Sequence, residues 1–218
     1  MKFDIARQPL VPAFMTLFAL AVAAMCAGIP VPDTETSGAV REALPLLGGQ
    51  LARFQAAYPV WSKFAAGFML LFAGMCTGRI SIRYNLYTVG TCLPIPLYAI
   101  VACGIATGGN YLAGFAASML LALATKNYCR AFCNGYGFDA IFRASLYLGL
   151  MPLIYAPALP LLLLLPLAVL LFRRTFREVV VATAGLLLPI FTACYVSWGS
   201  GAEFTAPLVT VGQSAIEG

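Results

Sequence analysis

The chain contains no histidine and very little charge. Charged residues make up 10% of its 218 residues, and the absence of histidine removes the usual proton shuttle and the Ser-His-Asp and Cys-His catalytic systems. Hydrophobic residues make up 61%, against about 45–50% in average soluble domains. Too few polar residues remain to cover the surface of a soluble globule. The composition therefore excludes an ordinary soluble domain and a disordered chain, and it predicts an all-α, polytopic transmembrane helix bundle.

Seven apolar segments are long enough, or nearly long enough, for the roughly 20 residues that a spanning helix needs. They are residues 10–29, 60–78, 86–107, 111–125, 138–155, 157–172 and 179–198. The first follows Lys2 and Arg7, as a signal peptide would, but it is longer than an apolar signal region of about 7–15 residues. We interpret it as an uncleaved first membrane helix.

The segments 138–155 and 157–172 form either one kinked span or a hairpin, which gives six or seven spans. A continuous helix over both would be about 52 Å long, far beyond a hydrocarbon core of about 30 Å. Pro157 and Pro160 interrupt helical hydrogen bonding between them. A hairpin also keeps the basic residues before and after this stretch on one side of the membrane. These observations favour seven spans.

With seven spans, most basic residues lie on one side of the membrane. The ten are Lys2, Arg7, Arg79, Arg83, Lys126, Arg130, Arg143, Arg173, Arg174 and Arg177. The other side carries Arg41, Arg53 and Lys63 with five of the eight acidic residues. Basic loops face the cytoplasm, so the N-terminus is predicted inside, the C-terminus outside, and the location is a bacterial inner membrane. Aromatic belts are expected at the outer boundary (Tyr58, Trp61, Tyr111, Tyr155, Trp198) and at the inner one (Tyr84, Tyr128, Tyr136).

The outer segment of residues 30–59 is the one sizeable stretch outside the spans. Within it, Leu47, Leu51, Phe54 and Tyr58 recur at helical spacing. This pattern predicts an amphipathic helix that lies either on the outer membrane–water boundary or packed over the mouth of the bundle. The other connections are short, so residues 1–218 are predicted to form a single domain.

Two charged groups near the cytoplasmic face are candidates for chemistry. Arg173, Arg174 and Arg177 could hold an anionic headgroup such as cardiolipin or a polyprenyl phosphate, although topology signalling explains them equally well. Asp139 and Arg143 are four residues apart on one helical face and can pair. The pair either binds an ion or headgroup, or neutralises itself at a polar helix start, and we favour the second.

The cysteines give little indication of a metal or a cofactor. Cys129 and Cys133 lie one helical turn apart, but structural zinc sites use four ligands. We therefore predict no metal and no cofactor. Cys26 and Cys103 both lie near the outer ends of their spans, and their disulfide state stays open.

Small residues recur at spacings that allow helices to approach closely. Gly74 and Gly78 form a GxxxG pattern, and Gly114, Ser118 and Ala122 line another span. We predict that these residues pack inside the bundle, with contact to a partner subunit as the alternative. Prolines interrupt four spans, as they do in the broken helices of transporters.

Four motifs resemble those of a known family. They are Phe138-Asp139-Ala140, the Leu-Ile-Tyr-Ala-Pro segment of 153–157, the Phe-Arg-Arg-Thr-Phe-Arg-Glu segment of 172–178 and the Gly-Leu-Leu-Leu-Pro segment of 185–189. With them, residues 115–198 resemble a domain-of-unknown-function family of multi-pass inner-membrane proteins from Gram-negative bacteria. Its members are longer than this chain. The family implies no activity, so no functional residue carries over from the resemblance.

The absence of catalytic motifs favours a non-enzymatic accessory or scaffold subunit of a membrane assembly. The alternative is a transporter or lipid-handling protein for anionic or polyprenyl-linked lipids. A third hypothesis is an intramembrane transferase, for which Asp139 is the one acid near the membrane. The expected partners are membrane lipids and other integral subunits or a second copy. Nucleic acid is excluded because no large basic cluster exists.

Overall fold

The computed structural model of the chain describes residues 10–26, 46–84, 92–106, 110–133, 137–163 and 175–217. Within these ranges every regular element is a helix and no strand occurs, which confirms the all-α class. The α-helices are α1 (Leu10–Cys26), α2 (Leu46–Ala57), α3 (Pro59–Arg83), α4 (Pro94–Ala106), α5 (Tyr111–Cys133), α6 (Phe138–Ile154), α7 (Phe176–Gly199) and α8 (Ala206–Glu217). A 3₁₀ helix, Ala156–Leu163, follows α6.

Two of the helices in the described part of the chain, α3 and α7, are both long and apolar enough to cross a membrane. They contain the predicted spans 60–78 and 179–198 and extend beyond them at both ends. Helix α5 begins where predicted but continues from residue 125 to Cys133. Its last turns carry Lys126 and Arg130, which are good helix formers although they end the apolar run.

Over its described part, the predicted sixth span, 157–172, is not α-helical. Helix α6 ends at Ile154, Tyr155 is extended, and the chain then forms the 3₁₀ helix instead of an α-helix. Pro157 and Pro160 supply no backbone N–H for the α-helical pattern, so the tighter form replaces it. Residues 164–172 of this predicted span lie outside the described residues, as do 27–29 of the first span and 86–91 and 107 of the third.

Helix α8 was not predicted from the sequence. After α7 the chain turns at Gly201, whose φ of 85° suits a residue without a side chain. The ring of Phe204 then contacts that of Phe191 on α7. Helix α8 packs on α7, on the end of α6 and on the 3₁₀ helix, with Val211 buried.

The side-chain contacts fix the directions of the helices. Ser62 and Tyr111 meet at the first turns of α3 and α5, so these two helices run parallel. Gly67 near the start of α3 lies against Met25 at the end of α1, so α1 runs the opposite way. Tyr128 late in α5 meets Ser145 in α6, and α6 therefore returns.

Two large clusters of buried side chains share α5, and a small third one, Ala73, Cys76 and Ala122, lies between α3 and α5. One large cluster is formed by α1, α3, α4 and the start of α5, and includes Leu17, Leu70 and Phe115. The other is formed by the rest of α5, α6, the 3₁₀ helix and α7, and includes Leu148 and Met151. Helix α5 is thus the central element of the bundle.

Burial on α3 is the reverse of that in a soluble helix. Its buried face is built mostly of small residues: Ser62, Ala66, Gly67, Ala73, Gly74, Cys76, Gly78 and Ser81, with Leu70 and Ile80. Its exposed face carries the large apolar side chains Val60, Trp61, Phe64, Phe68, Phe72 and Met75. Trp61 is 68% exposed and Phe68 is 67% exposed. In water this arrangement would leave an apolar stripe along the whole helix.

Candidate functional site

Helix α2 packs over one end of the bundle. It contacts α3, α5 and α6, and Leu51 packs against the first core cluster. The side-chain oxygen of Gln55 accepts a hydrogen bond of 3.4 Å from the backbone N–H of Leu112, near the start of α5. This side of α2 therefore lies over the mouth of the bundle, the second of the two predicted placements. Phe54 and Tyr58 face outward.

An open groove runs along the outside of α2 and α3. Its volume is about 550 Å³, and its lining is almost wholly apolar: Phe54, Tyr58, Trp61, Phe64, Ala65 and Phe68. The rings of Phe54 and Tyr58 are 5.6 Å apart, and those of Trp61 and Phe64 are 6.4 Å apart. A surface of this chemistry suits acyl or polyprenyl chains and offers nothing to a charged substrate.

Three hydroxyl pairs join α5 to three neighbouring helices. Tyr111 pairs with Ser62 of α3, Ser118 with Tyr98 of α4, and Tyr128 with Ser145 of α6; their oxygen–oxygen distances are 2.5, 3.1 and 3.4 Å. Ser62 and Ser145 are fully buried. Because such bonds are directional, they fix the rotation and register of each helix against α5. The sequence analysis assigned only Ser118 to helix packing and placed Tyr111 and Tyr128 in aromatic belts, since long-range pairs leave no local spacing.

Tyr111 is therefore not part of the outer aromatic belt. It is 4% exposed and pairs with Ser62 in the interior. Tyr58, Trp61, Tyr155 and Trp198 are all exposed, as the belt requires. Tyr128 of the predicted inner belt is half-buried against Ser145, and Tyr136 lies outside the described residues. The aromatic residue type was the only sequence signal, and it does not distinguish a belt residue from a buried pair.

The structure forms the Asp139–Arg143 ion pair on the first turns of α6. Nε of Arg143 lies 2.9 Å from a carboxylate oxygen of Asp139, and both side chains are more than half exposed. A surface pair of this kind contributes little stability. The geometry suits self-neutralisation of a helix start better than a buried catalytic acid.

The predicted arginine cluster is only partly described. Arg177 is exposed in the first turn of α7, whereas Arg173 and Arg174 lie outside the described residues. The neighbouring Glu178 is 2% exposed, which the sequence analysis did not foresee. Its position in the first helical turn is electrostatically favourable for a carboxylate.

The predicted packing residues face other helices. A side chain at Gly74 would lie 2.8 Å from Leu17 of α1, and one at Gly78 would collide with Ile95 of α4. Ala122 is buried with Ala73 and Cys76 of α3. Ser118 bonds to Tyr98, and Gly114 is half-buried.

The sequence analysis did not predict the place where two helix backbones come closest at a described glycine. A Cβ at Gly149 of α6 would collide with the carbonyl oxygen of Leu186 in α7. One at Gly185 of α7 would lie 2.7 Å from the carbonyl oxygen of Phe142. Neither Gly149 nor Gly185 has another glycine four residues away, which is the GxxxG spacing that marks Gly74 and Gly78.

The cysteines form no metal site in the described ranges. No group of three or more metal-ligating side chains occurs there. Cys26 is an exposed free thiol, and Cys76, Cys92 and Cys194 are buried free thiols. The side chains of Cys103 and Cys133 lie outside the described part of the structure.

No family model, no curated protein and no solved structure matches this chain. The resemblance of residues 115–198 to a family of inner-membrane proteins therefore stays a prediction.

Proposed function

We propose that this chain is a seven-span protein of the bacterial inner membrane that acts as a non-enzymatic accessory or scaffold subunit. The observation that carries the membrane assignment is the burial pattern of α3, with small residues inside and large apolar side chains outside. Hydrocarbon solvates such a face, and small buried residues let helices pack closely within it. Helix α7 has the same character, because Leu187, Leu188, Phe191 and Tyr195 are exposed.

The charges support the proposed orientation. Helix α6 begins where α3 and α5 end, and α7 runs in the same direction as α6, because α8, which follows α7, packs on the 3₁₀ helix that follows α6. The end at which α6 and α7 begin carries Arg79, Arg83, Lys126, Arg130, Arg143 and Arg177. The opposite end carries the exposed Tyr58, Trp61 and Trp198. An excess of basic residues marks the cytoplasmic side, so the latter end faces out.

A scaffold role is supported by what the described helices present. The interior is filled by apolar side chains and paired hydroxyls, and the outer surface is broad and apolar. Helix α7 packs on α6, and α8 packs near the end of α7. The rest of α7 is exposed. Such a helix offers one complete face to a neighbouring membrane subunit.

Cysteine labelling tests the orientation. Ser200 is exposed directly after α7, at the end with Trp198. We expect a membrane-impermeant maleimide added from the periplasmic side to label Ser200→Cys in intact spheroplasts. The parent chain, which retains its own cysteines, supplies the background. Labelling that appears only after the cytoplasmic face is opened would refute the seven-span arrangement.

Gentle purification from the membrane, followed by mass spectrometry, tests the scaffold role. A stoichiometric protein partner is the expected result. Photo-crosslinkers placed at Phe191 of α7 and at Phe68 of α3 would then show which helix the partner contacts. A chain that migrates alone in a native gel, with no protein cross-link from either position, would contradict the scaffold role.

Lipid handling is the second candidate, and the aromatic groove on α2 and α3 favours it. Its ring-lined walls suit an acyl or polyprenyl chain near the outer boundary. A lone protein that carries one enriched lipid, and loses it on Phe64→Ser substitution, would support this alternative over the scaffold.

A further inference from the structure

The described part of the chain carries one strongly basic surface that the proposed function does not use. It consists of Arg79 and Arg83 on α3 and Lys126 and Arg130 on α5. On each helix the two basic residues are four positions apart, so they lie one turn apart on the same face. We call these four residues the α3–α5 basic cluster.

The register of the two helices brings these charges to one depth. Helices α3 and α5 are parallel, and the Ser62–Tyr111 pair fixes their first turns side by side. Buried contacts among Ala73, Cys76 and Ala122 repeat the same offset further along. At 1.5 Å per residue, the cluster lies about 22 to 32 Å along the helices from the hydroxyl pair. The hydroxyl pair adjoins Trp61 at the proposed outer boundary. A hydrocarbon core is about 30 Å thick, so the cluster lies at the cytoplasmic headgroup level.

The charges of the two helices also converge laterally. Arg79 and Lys126 both lie close enough to the thiol of Cys76 to interact with it electrostatically. Cys76 is buried between the helices, whereas Arg79 is exposed and Lys126 is half-buried. Both cations therefore lie near the seam between α3 and α5 in which Cys76 is buried.

The other basic residues at this end have acids close to them in the sequence. Arg143 pairs with Asp139, and Arg177 precedes Glu178. Neither α3 nor α5 contains a single Asp or Glu. The cluster therefore places four positive charges on two adjacent helices that carry no acid of their own.

We propose that the α3–α5 basic cluster binds the phosphate headgroup of an anionic phospholipid on the cytoplasmic leaflet. This inference rests on the proposed membrane placement. Lysine and arginine near the membrane surface attract anionic lipids, and phosphate accepts hydrogen bonds from both. Two helices that present cations at one depth hold a phosphate between them, which a topology signal alone does not require.

The experiment compares lipid retention by matched charge variants. The purified chain is placed in phosphatidylcholine nanodiscs that contain a minor fraction of phosphatidylglycerol, and the co-purifying phosphatidylglycerol is measured by native mass spectrometry. We expect Arg79→Gln and Lys126→Gln each to lower its retention about fivefold. Arg53→Gln removes one exposed positive charge from α2, at the opposite end of the bundle, and is expected to leave retention unchanged.

Charge-conserving variants guard against misfolding or inverted topology. Arg79→Lys and Lys126→Arg are expected to retain the lipid, and external labelling of Ser200→Cys is expected to be unchanged in every variant. An equal loss in Arg53→Gln would overturn the site, because it would indicate only general surface charge. No loss in Arg79→Gln or Lys126→Gln would overturn it as well.

Two further results would assign the cluster to another ligand. Displacement of phosphatidylglycerol by inorganic phosphate, with the same dependence on Lys126, would show a soluble anion site and overturn the lipid. Loss of an acidic protein partner from the Lys126→Gln sample, with unchanged lipid, would also overturn it. Recovery of the parent chain in the soluble fraction would instead refute the proposed function itself, so the two failures are distinguishable.

Discussion

Individual glycines determine how closely α6 and α7 approach. At Gly149 and Gly185 the opposing atoms are backbone carbonyl oxygens, which cannot rotate away as a side chain can. By contrast, Gly74 and Gly78 face the flexible side chains of Leu17 and Ile95. The sequence pattern singles out the second pair because the spacing is familiar. The geometry indicates that the first pair constrains the bundle more strongly.

We predict that Gly149→Ala destabilises the protein by about 1–3 kcal/mol, the usual cost of overpacking, because α7 must move away from α6. Gly104→Ala in α4 is the control, since a Cβ there meets no atom within 4 Å. This control variant should be neutral or more stable by up to about 1 kcal/mol. Thermal unfolding in one fixed detergent measures both, and equal Tm values would contradict the close approach of α6 and α7.

At the level of elements, most α-helices could be predicted from the sequence, whereas the helices that each one packs against could not. Apolar runs and Pro or Gly boundaries define α1, α3 and α7 from local information. The Ser62–Tyr111 pair joins residues far apart in the chain, so no local spacing reveals it. The 3₁₀ helix was missed because its apolar composition equals that of a span, and only Pro157 and Pro160 distinguish it. Helix α8, with 12 residues, is too short for a search based on spans.

The hydroxyl pairs of α5 give a prediction at this scale. We expect Tyr111→Phe and Tyr98→Phe each to cost about 0.6 kcal/mol, the average for interhelical hydrogen bonds in membranes. The α5 members of the two pairs, Tyr111 and Ser118, are about 10 Å apart along the helix. The double variant should therefore lose the sum of the two single losses of stability, within about 0.5 kcal/mol. Tyr155→Phe, at an exposed position, is the control. Unfolding in mixed micelles measures the stability of all four variants. An unchanged stability of Tyr111→Phe would show that the Ser62–Tyr111 pair does not fix the register of α3 against α5.

For the whole molecule, the candidate sites are distributed by depth. The aromatic groove and α2 lie at one end of the bundle, the paired hydroxyls lie along α5, and the basic cluster lies at the other end. The positions of the basic residues between the apolar segments predicted that they would share one side. These positions did not predict that α3 and α5 would bring Arg79 and Lys126 to one seam, because that requires the register between two helices separated in sequence.

The membrane assignment itself has a direct test. Phe68 is 67% exposed near the middle of α3. In water, a polar substitution at such a surface position changes stability by less than about 0.5 kcal/mol. In a bilayer, an aspartate at the centre of a spanning helix costs about 2.5–3.5 kcal/mol. We therefore expect Phe68→Asp to reduce the amount of folded protein in the membrane sharply. Val209→Asp, at an exposed apolar position on α8 outside the spans, should accumulate like the parent chain. If both variants accumulate equally, hydrocarbon does not surround α3, and its aromatic stripe must be covered by protein instead.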